Sequence, residues 1–169
     1  IYEHRMQNDS ALIFYKLALE RNLRSGSKTG VAICHNRIGQ LLMHTDQTDS
    51  ALAHHREAYR ILQAQGDEWQ RQKAALSLAW IHLKQGHLAE AYRLLDETEK
   101  VALRTRSFGH LEETYYCQAE YYRLIGDYHS AFDRLSLCID YRDSIARQRD
   151  EHEVVQNRIR YEREKSGAE

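Results

Sequence analysis

A repeat of forty residues constrains this chain more than any other feature of its sequence. One alanine recurs at equal intervals along the whole chain: Ala11, Ala51, Ala91 and Ala131. Each has serine or glutamate before it and a large apolar or aromatic residue after it. Further columns follow at helical spacing, so each alanine belongs to one face of a helix. Columns that recur in register predict a repeat architecture rather than a single globular core.

A second helical pattern lies upstream of the alanine in each unit. It contains a column of small residues, Gly39, Ala79 and Ala119. A small residue at a fixed place in a helix lets a neighbouring helix approach closely. A turn separates the two helices of each unit: Asp46–Gln47, Gly86–His87 and Gly126–Asp127. Glycine there accommodates the left-handed conformation that ends a helix. Each unit is therefore predicted to be a helical hairpin that buries its apolar stripe against its neighbours.

Composition supports an all-α chain and limits the classes of function. The 169 residues include no proline, and the formal net charge is −1. A chain without proline can form one helix after another, and a near-neutral chain lacks the basic excess of a nucleic-acid binder. No apolar run approaches the roughly 18–20 residues of a membrane span. The three cysteines, Cys34, Cys117 and Cys138, show no disulfide framework, and we expect them to be small buried residues.

The units resemble tetratricopeptide (TPR) motifs. The last unit carries the match most fully: Tyr115, Ala119, Tyr122, Gly126–Tyr128, Ala131, Leu135 and Cys138. The resemblance implies a right-handed α-solenoid of TPR-like helical hairpins. The period of forty exceeds the family's period of about 34. The extra residues fall between units, around Gln63–Glu68 and Arg104–His110, where they are expected to lengthen helices or loops.

The repeat divides the chain into a partial unit at 1–28, units at about 29–68, 69–108 and 109–143, and a charged helix at 144–169. Ile1–Arg5 are interpreted as the tail of a separate first helix, because Tyr2 precedes Leu42 by forty residues. The charged helix is expected either to cap the last repeat or to be a coiled-coil connector to a downstream module. Ile145, His152 and Ile159 are spaced by seven, with Val155 between the last two, so segment 144–165 could support a homodimer.

A narrower resemblance concerns the end of the repeat array. Gly126–Tyr128, Asp140–Ile145 and Tyr161–Lys165 are similar to the exit from the TPR region in bacterial membrane-anchored transcriptional regulators and sensor histidine kinases. This implies a sensory or protein-binding region of a signal transducer. It would be periplasmic if that resemblance holds and cytoplasmic otherwise. The alternative is a free-standing TPR adaptor that scaffolds a complex. A TPR-fold phosphatase is less favoured, because no acidic or amide cluster is singled out.

No catalytic residue, metal site or cofactor is assigned. Ten histidines invite a metal hypothesis, yet no two are spaced to share one helical face as H-x-x-H or H-x-x-x-H. His55 and His82 fall in core columns and are expected to be hydrogen-bonded interior residues.

The TPR resemblance implies a concave groove lined by the first helix of each unit. Transferring its ligand-facing columns by register gives Ile33, Lys73 and Glu113; Asn36, Leu76 and Tyr116; Gln40, Trp80 and Glu120; and Met43, Leu83 and Arg123. From these we select the candidate site residues Asn36, Gln40, Lys73, Trp80, Tyr116, Glu120 and Arg123. Trp80 and Tyr116 are the expected anchors for a protein or peptide, although Trp80 could instead pack in the core. No direct nucleic-acid contact is expected.

Overall fold

The computed structural model describes the backbone of residues 2–166 and the side chains of residues 8–153, 155 and 156. Over this range the chain forms seven α-helices and no strand. They are α1 (Tyr2–Ser25), α2 (Lys28–His44), α3 (Thr48–Gln65), α4 (Glu68–Gln85), α5 (Leu88–Thr105), α6 (Phe108–Leu124) and α7 (Tyr128–Ser166). The prediction of an all-α chain is confirmed. None of these helices is long and apolar enough to cross a membrane.

The helices stack as hairpins, α2–α3, α4–α5 and α6–α7, with α1 packed before them. Each helix contacts its neighbours in sequence, and the first helices also contact one another, α2 with α4 and α4 with α6. The second helices α3, α5 and α7 make no such contacts among themselves in the described range. Because the first helices lie closer together, they form the concave wall. The chain is an α-solenoid of TPR-like hairpins, as its repeat predicts.

A left-handed residue ends each of the first six helices, and these residues lie twenty positions apart. Glycine fills four of the six places, and Asp46 and Arg106 fill the others with φ of 58° and 52°; the glycines are Gly26, Gly66, Gly86 and Gly126. At five of these six turns, the N–H of the residue after the left-handed one donates to the carbonyl five residues before it. This bond closes the helix end within two or three residues.

The extra residues of the forty-residue period lengthen the helices rather than the loops. Helices α2 to α6 have 17 or 18 residues, and the links between units are the two-residue turns Gly26–Ser27, Gly66–Asp67 and Arg106–Ser107. The residue before a helix stabilises some turns of both kinds, Asp67 between two units and Asp127 within the last unit. Asp67 Oδ1 accepts from the Gln70 N–H at 3.0 Å, and Asp127 Oδ1 accepts from the Ser130 N–H at 3.1 Å.

The core is a row of clusters between successive helices, and the repeated columns supply it. The small column of Gly39, Ala79 and Ala119 is buried, as are Ala51 and Ala91. One cluster joins α2, α3 and α4 through Ala32, Ala58, Leu62 and Ala74. Another joins α5, α6 and α7 through Ala102, Leu111, Tyr115 and Cys138. All three cysteines are free and buried, which confirms the expectation for them.

Two ends of the chain differ from the sequence-based interpretation. Ile1–Arg5 do not form a separate helix, since α1 runs unbroken from Tyr2; Ile1 itself lies outside the described residues. The place equivalent to Asp46 is Met6, and neither it nor its neighbours is suited to a left-handed turn. The division at Asp143 is likewise not a helix end. Helix α7 continues through it to Ser166, with no glycine or proline between them to end it.

Candidate functional site

Two adjoining pockets lie along the concave wall of the solenoid. The larger, of about 520 Å³, lies between α2 and α4; the other, of about 450 Å³, lies between α4 and α6. We name them the α2–α4 pocket and the α4–α6 pocket. Three residues line both, namely Gln40, Ser77 and Trp80. A ligand that lies across α4 can therefore occupy both pockets and contact Trp80 from either side.

Trp80 divides the two pockets. Its half-buried indole packs against the core cluster that contains Leu76 and Ala79. The ring centre lies 5.8 Å from that of Tyr116 on α6, with an angle of 35° between the two planes. Lys84 Nζ stands 4.8 Å from the indole centre in a cation–π contact. Both interpretations of Trp80 therefore apply, because part of the side chain packs in the core and part faces the pockets.

The α4–α6 pocket brings two carboxylates and two cations together. Glu112 Oε1 accepts from Arg142 Nε at 2.7 Å, so this pair is joined by a hydrogen bond. Glu113 lies at the rim, where the surrounding groove atoms raise the pKa of its carboxyl by burial and Lys73 partly offsets the rise. Arg142 belongs to α7, so the pocket wall includes the helix that leads out of the repeat array.

The structure brings four of the seven candidate residues together. Gln40, Lys73, Trp80 and Tyr116 all line the α4–α6 pocket. Their common position follows from the first-helix register, which places one of them on α2, two on α4 and one on α6.

The other three candidate residues lie elsewhere. Asn36 does not line the groove: it is 3% exposed, and its Oδ1 accepts from His55 Nδ1 at 3.1 Å between α2 and α3. Its assignment to the groove is corrected, because the hydrogen bond to His55 holds this side chain against α3. Glu120 and Arg123 lie further along α6 and pair with each other at 2.8 Å, outside both pockets.

Several pocket residues lie outside the predicted set. The position of Ser77 could have been predicted, because it is three residues before Trp80 and so lies on the same helix face. Glu112 adjoins the predicted column at Glu113. Arg142 lies on a second helix, and nothing in the repeat indicates that it reaches the groove. The residues described include no cluster of three or more histidines, cysteines or acidic residues that could hold a metal ion.

The histidines form close pairs and interior contacts. His35 and His54 approach at 2.8 Å between their Nδ1 atoms, and His82 and His87 approach at 3.4 Å. His55 is buried, and burial together with the neighbouring His54 lowers its pKa to about 4. Burial also lowers the pKa of His82. The ring of His55 is therefore neutral at pH 7.

No protein-family model and no curated protein sequence matches this chain. Among solved structures, it is similar to BtubC (BKLC) from P. vanneervenii, with a TM-score of 0.68 and 18% identity over 86% of this chain and 60% of that one. It is also similar to the apo form of RapI, with a TM-score of 0.56 and 15% identity over 85% of this chain and 65% of that one. At these identities the likeness establishes a helical-repeat fold. The chain spans less than two thirds of the length of either structure.

Proposed function

We propose that this chain is a non-catalytic binding region whose concave groove holds a segment of a protein or peptide. The observation that carries the proposal is the pair of adjoining pockets that share Trp80, Gln40 and Ser77. Two open pockets in a row suit an extended ligand rather than a compact one. An apolar side chain can lie against Trp80 and Tyr116, while Gln40 and Ser77 offer hydrogen bonds to a peptide backbone.

The chemistry of the α4–α6 pocket supports binding over catalysis. Cys117 lines the α4–α6 pocket, but burial raises the pKa of its thiol to about 12. The thiolate, which is the nucleophilic form, is therefore scarce at neutral pH. Glu112 is engaged by Arg142, and no histidine lines this pocket to act as a general base. We therefore favour binding over the TPR-fold phosphatase.

We further propose that the binding region is the sensory part of a bacterial signal-transduction or transcription regulator. The resemblance of the exit segment to that group motivates this proposal. Arg142 supports it physically, because a ligand in the α4–α6 pocket would touch α7 through this residue and its partner Glu112. The alternative is a free-standing adaptor, which needs the groove but no response in α7.

Selection from a displayed peptide library on the immobilised chain tests the binding proposal. Trp80→Ala and Tyr116→Ala should each weaken a selected peptide at least about tenfold, as expected for aromatic anchors. Tyr92→Ala is the matched control, since Tyr92 on α5 is 45% exposed and Tyr116 is 43% exposed. Circular dichroism should show unchanged helicity in all three variants. If selected peptides bind both groove variants as tightly as they bind the wild type, the groove is not the binding site.

Two measurements separate the alternatives. If the chain is a sensor, a bound peptide should change hydrogen exchange in α7 around residues 140–150, and Arg142→Ala should abolish that change. An adaptor would show protection in α2, α4 and α6 only. Hydrolysis of p-nitrophenyl phosphate by the purified chain, lost in Glu112→Gln, would instead show that the chain is an enzyme.

A further inference from the structure

An apolar surface covers one side of α7 at the end of the solenoid. Its residues are large, at least two-fifths exposed and spaced along one face of the helix: Tyr128, Phe132, Leu135 and Ile139. Leu124 and Ile125 at the end of α6 extend it. We name these six residues the terminal stripe. In the two earlier units the places of Leu124 and Ile125 hold His44–Thr45 and Lys84–Gln85, so the apolar character is particular to this end.

The repeat shows that a helix fits on this surface. Leu135 is equivalent by register to Leu95 on α5 and His55 on α3. Those two residues are 0% and 1% exposed, whereas Leu135 is 42% exposed. The first helix of the next unit packs on α3 and on α5, and among the described residues none packs on α7 in this way. Phe132 is likewise equivalent to Tyr92, whose ring stacks on Tyr121 of α6 at 5.2 Å. Helix α7 thus presents the face that α3 and α5 use inside the stack.

We propose that a second copy of this chain covers the terminal stripe, with the two α7 helices packed antiparallel about a two-fold axis. The spacing of Tyr128, Phe132, Leu135 and Ile139 is four, three and four residues, which reads the same in both directions. An antiparallel copy therefore sets Phe132 against Leu135 of the partner subunit and Tyr128 against Ile139 of the partner subunit. Such an isologous contact is self-complementary and closes at two subunits.

The repeat favours the antiparallel arrangement over the parallel one. Helices α4 and α6, which pack on α3 and α5, follow them after two-residue turns and therefore run antiparallel to them. A partner α7 that lies antiparallel on α7 would repeat this packing.

The surface available on the stripe approaches that of a standard dimer interface if all of it is covered. The exposed surface of the six side chains amounts to roughly 700 Å² per copy, near the 800 Å² per partner of a standard-size interface. The proposed contact is not the coiled coil predicted for segment 144–165, because the apolar residues of the terminal stripe all precede Ser144. The side chain of Ile159, on which that heptad depends, lies outside the described residues.

Sedimentation and light scattering of the purified chain test the proposal. We expect the wild type at about 100 µM to have twice the 19.9 kDa mass of one chain. Phe132→Glu and Ile139→Lys should each return the mass to that of one chain with unchanged helicity. Phe14→Glu on α1 is the matched control, because Phe14 is 65% exposed and Phe132 is 69% exposed at opposite ends of the solenoid.

A wild type that remains monomeric would overturn the proposal and leave the stripe to a helix of another protein. Dissociation by Phe14→Glu but not by Phe132→Glu would place the contact on α1 instead. Cysteine cross-linking tests the direction of packing. A mixture of Phe132→Cys and Leu135→Cys chains should form mainly the mixed disulfide-linked dimer. Cross-linking of each variant mainly to itself would show parallel packing, against the proposal.

Discussion

The imidazole of His55 lies where a β-carbon on Gly39 would stand. An ideal β-carbon at Gly39 would come within 2.6 Å of His55 Nε2, closer than real contacts allow. In the two later units the same pair of columns is Ala79 with Leu95 and Ala119 with Leu135. In the first unit, glycine and histidine thus take the places of alanine and leucine. The imidazole ring fills the space that the methyl group of an alanine would need.

The coupling of Gly39 and His55 can be measured by a double-mutant cycle. Glycine to alanine inside a helix normally adds about 1 kcal/mol to the free energy of unfolding. Here Gly39→Ala should instead lower it by about 1–2 kcal/mol, because the added methyl overpacks against His55. In a His55→Leu background the same change should be neutral or stabilising. Urea unfolding followed by circular dichroism gives the four values. Equal effects of Gly39→Ala in both backgrounds would show that the pair is not coupled.

The stability of the chain should fall in mild acid, partly because of His55. Its pKa is about 4 in the folded chain and about 6.5 in the unfolded chain, so between these values only the unfolded chain binds the proton. The free energy of unfolding therefore holds its full value above pH 6.5 and falls by up to about 3 kcal/mol as the pH drops to 4. His55→Leu should remove this part of the slope. A slope in His55→Leu identical to that of the wild type would contradict the assignment.

The two left-handed residues that are not glycine should limit stability. Arg106→Gly should raise the free energy of unfolding by about 1 kcal/mol, because a side chain costs roughly that much in this conformation. Asp46→Gly should raise it less, since aspartate tolerates the left-handed region better than arginine. Thermal unfolding measures both. Gly66→Ala serves as the reverse control: no atom would crowd its β-carbon, so any loss reports the backbone alone.

Glu99 joins three helices and should matter more than the exposed ion pairs. Its carboxylate accepts from Gln118 Nε2 on α6 at 2.7 Å and from Arg134 on α7 at 2.9 Å. Glu99→Ala should cost about 2 kcal/mol, because it leaves two half-buried or buried donors without this acceptor. Asp96→Ala, which breaks the exposed pair with Lys100, should change stability by less than about 0.5 kcal/mol. Equal losses in chemical unfolding would refute this ranking.

Repeated columns made the fold predictable, and the absence of a repeat marks where prediction failed. Ala51 and Ala91 are buried at equivalent places, and the three turns predicted within units all hold a left-handed residue. The turns between units were not predicted; two of them hold a glycine on the same twenty-residue spacing, Gly26 and Gly66, and the third holds Arg106. The continuity of α1 and α7 was not predicted. The repeat indicates where a turn is expected, but a turn forms there only if a residue can adopt the left-handed conformation.

The groove was predictable to the extent that one helix face determines it. Gln40, Lys73, Trp80 and Tyr116 follow from the register of the first helices. Asn36 shares the sequence column of Leu76 and Tyr116, yet it is drawn into a hydrogen bond by His55, which no column rule anticipates. Arg142 reaches the pocket from a second helix because its side chain is long and Glu112 holds it there. Contacts of this kind join residues from different columns of the repeat. They depend on the individual side chains, so the repeat does not predict them.

Within the described residues each helix touches only those beside it in the stack, so these contacts join parts of the chain that are close in sequence. Few long loops must close before native contacts form, so ordering can begin at any hairpin and spread in both directions. Loss of order should start at whichever end is less well covered and advance helix by helix. A local defect such as a change at Glu99 should therefore be felt first in α5, α6 and α7, while α2 and α3 keep their protection.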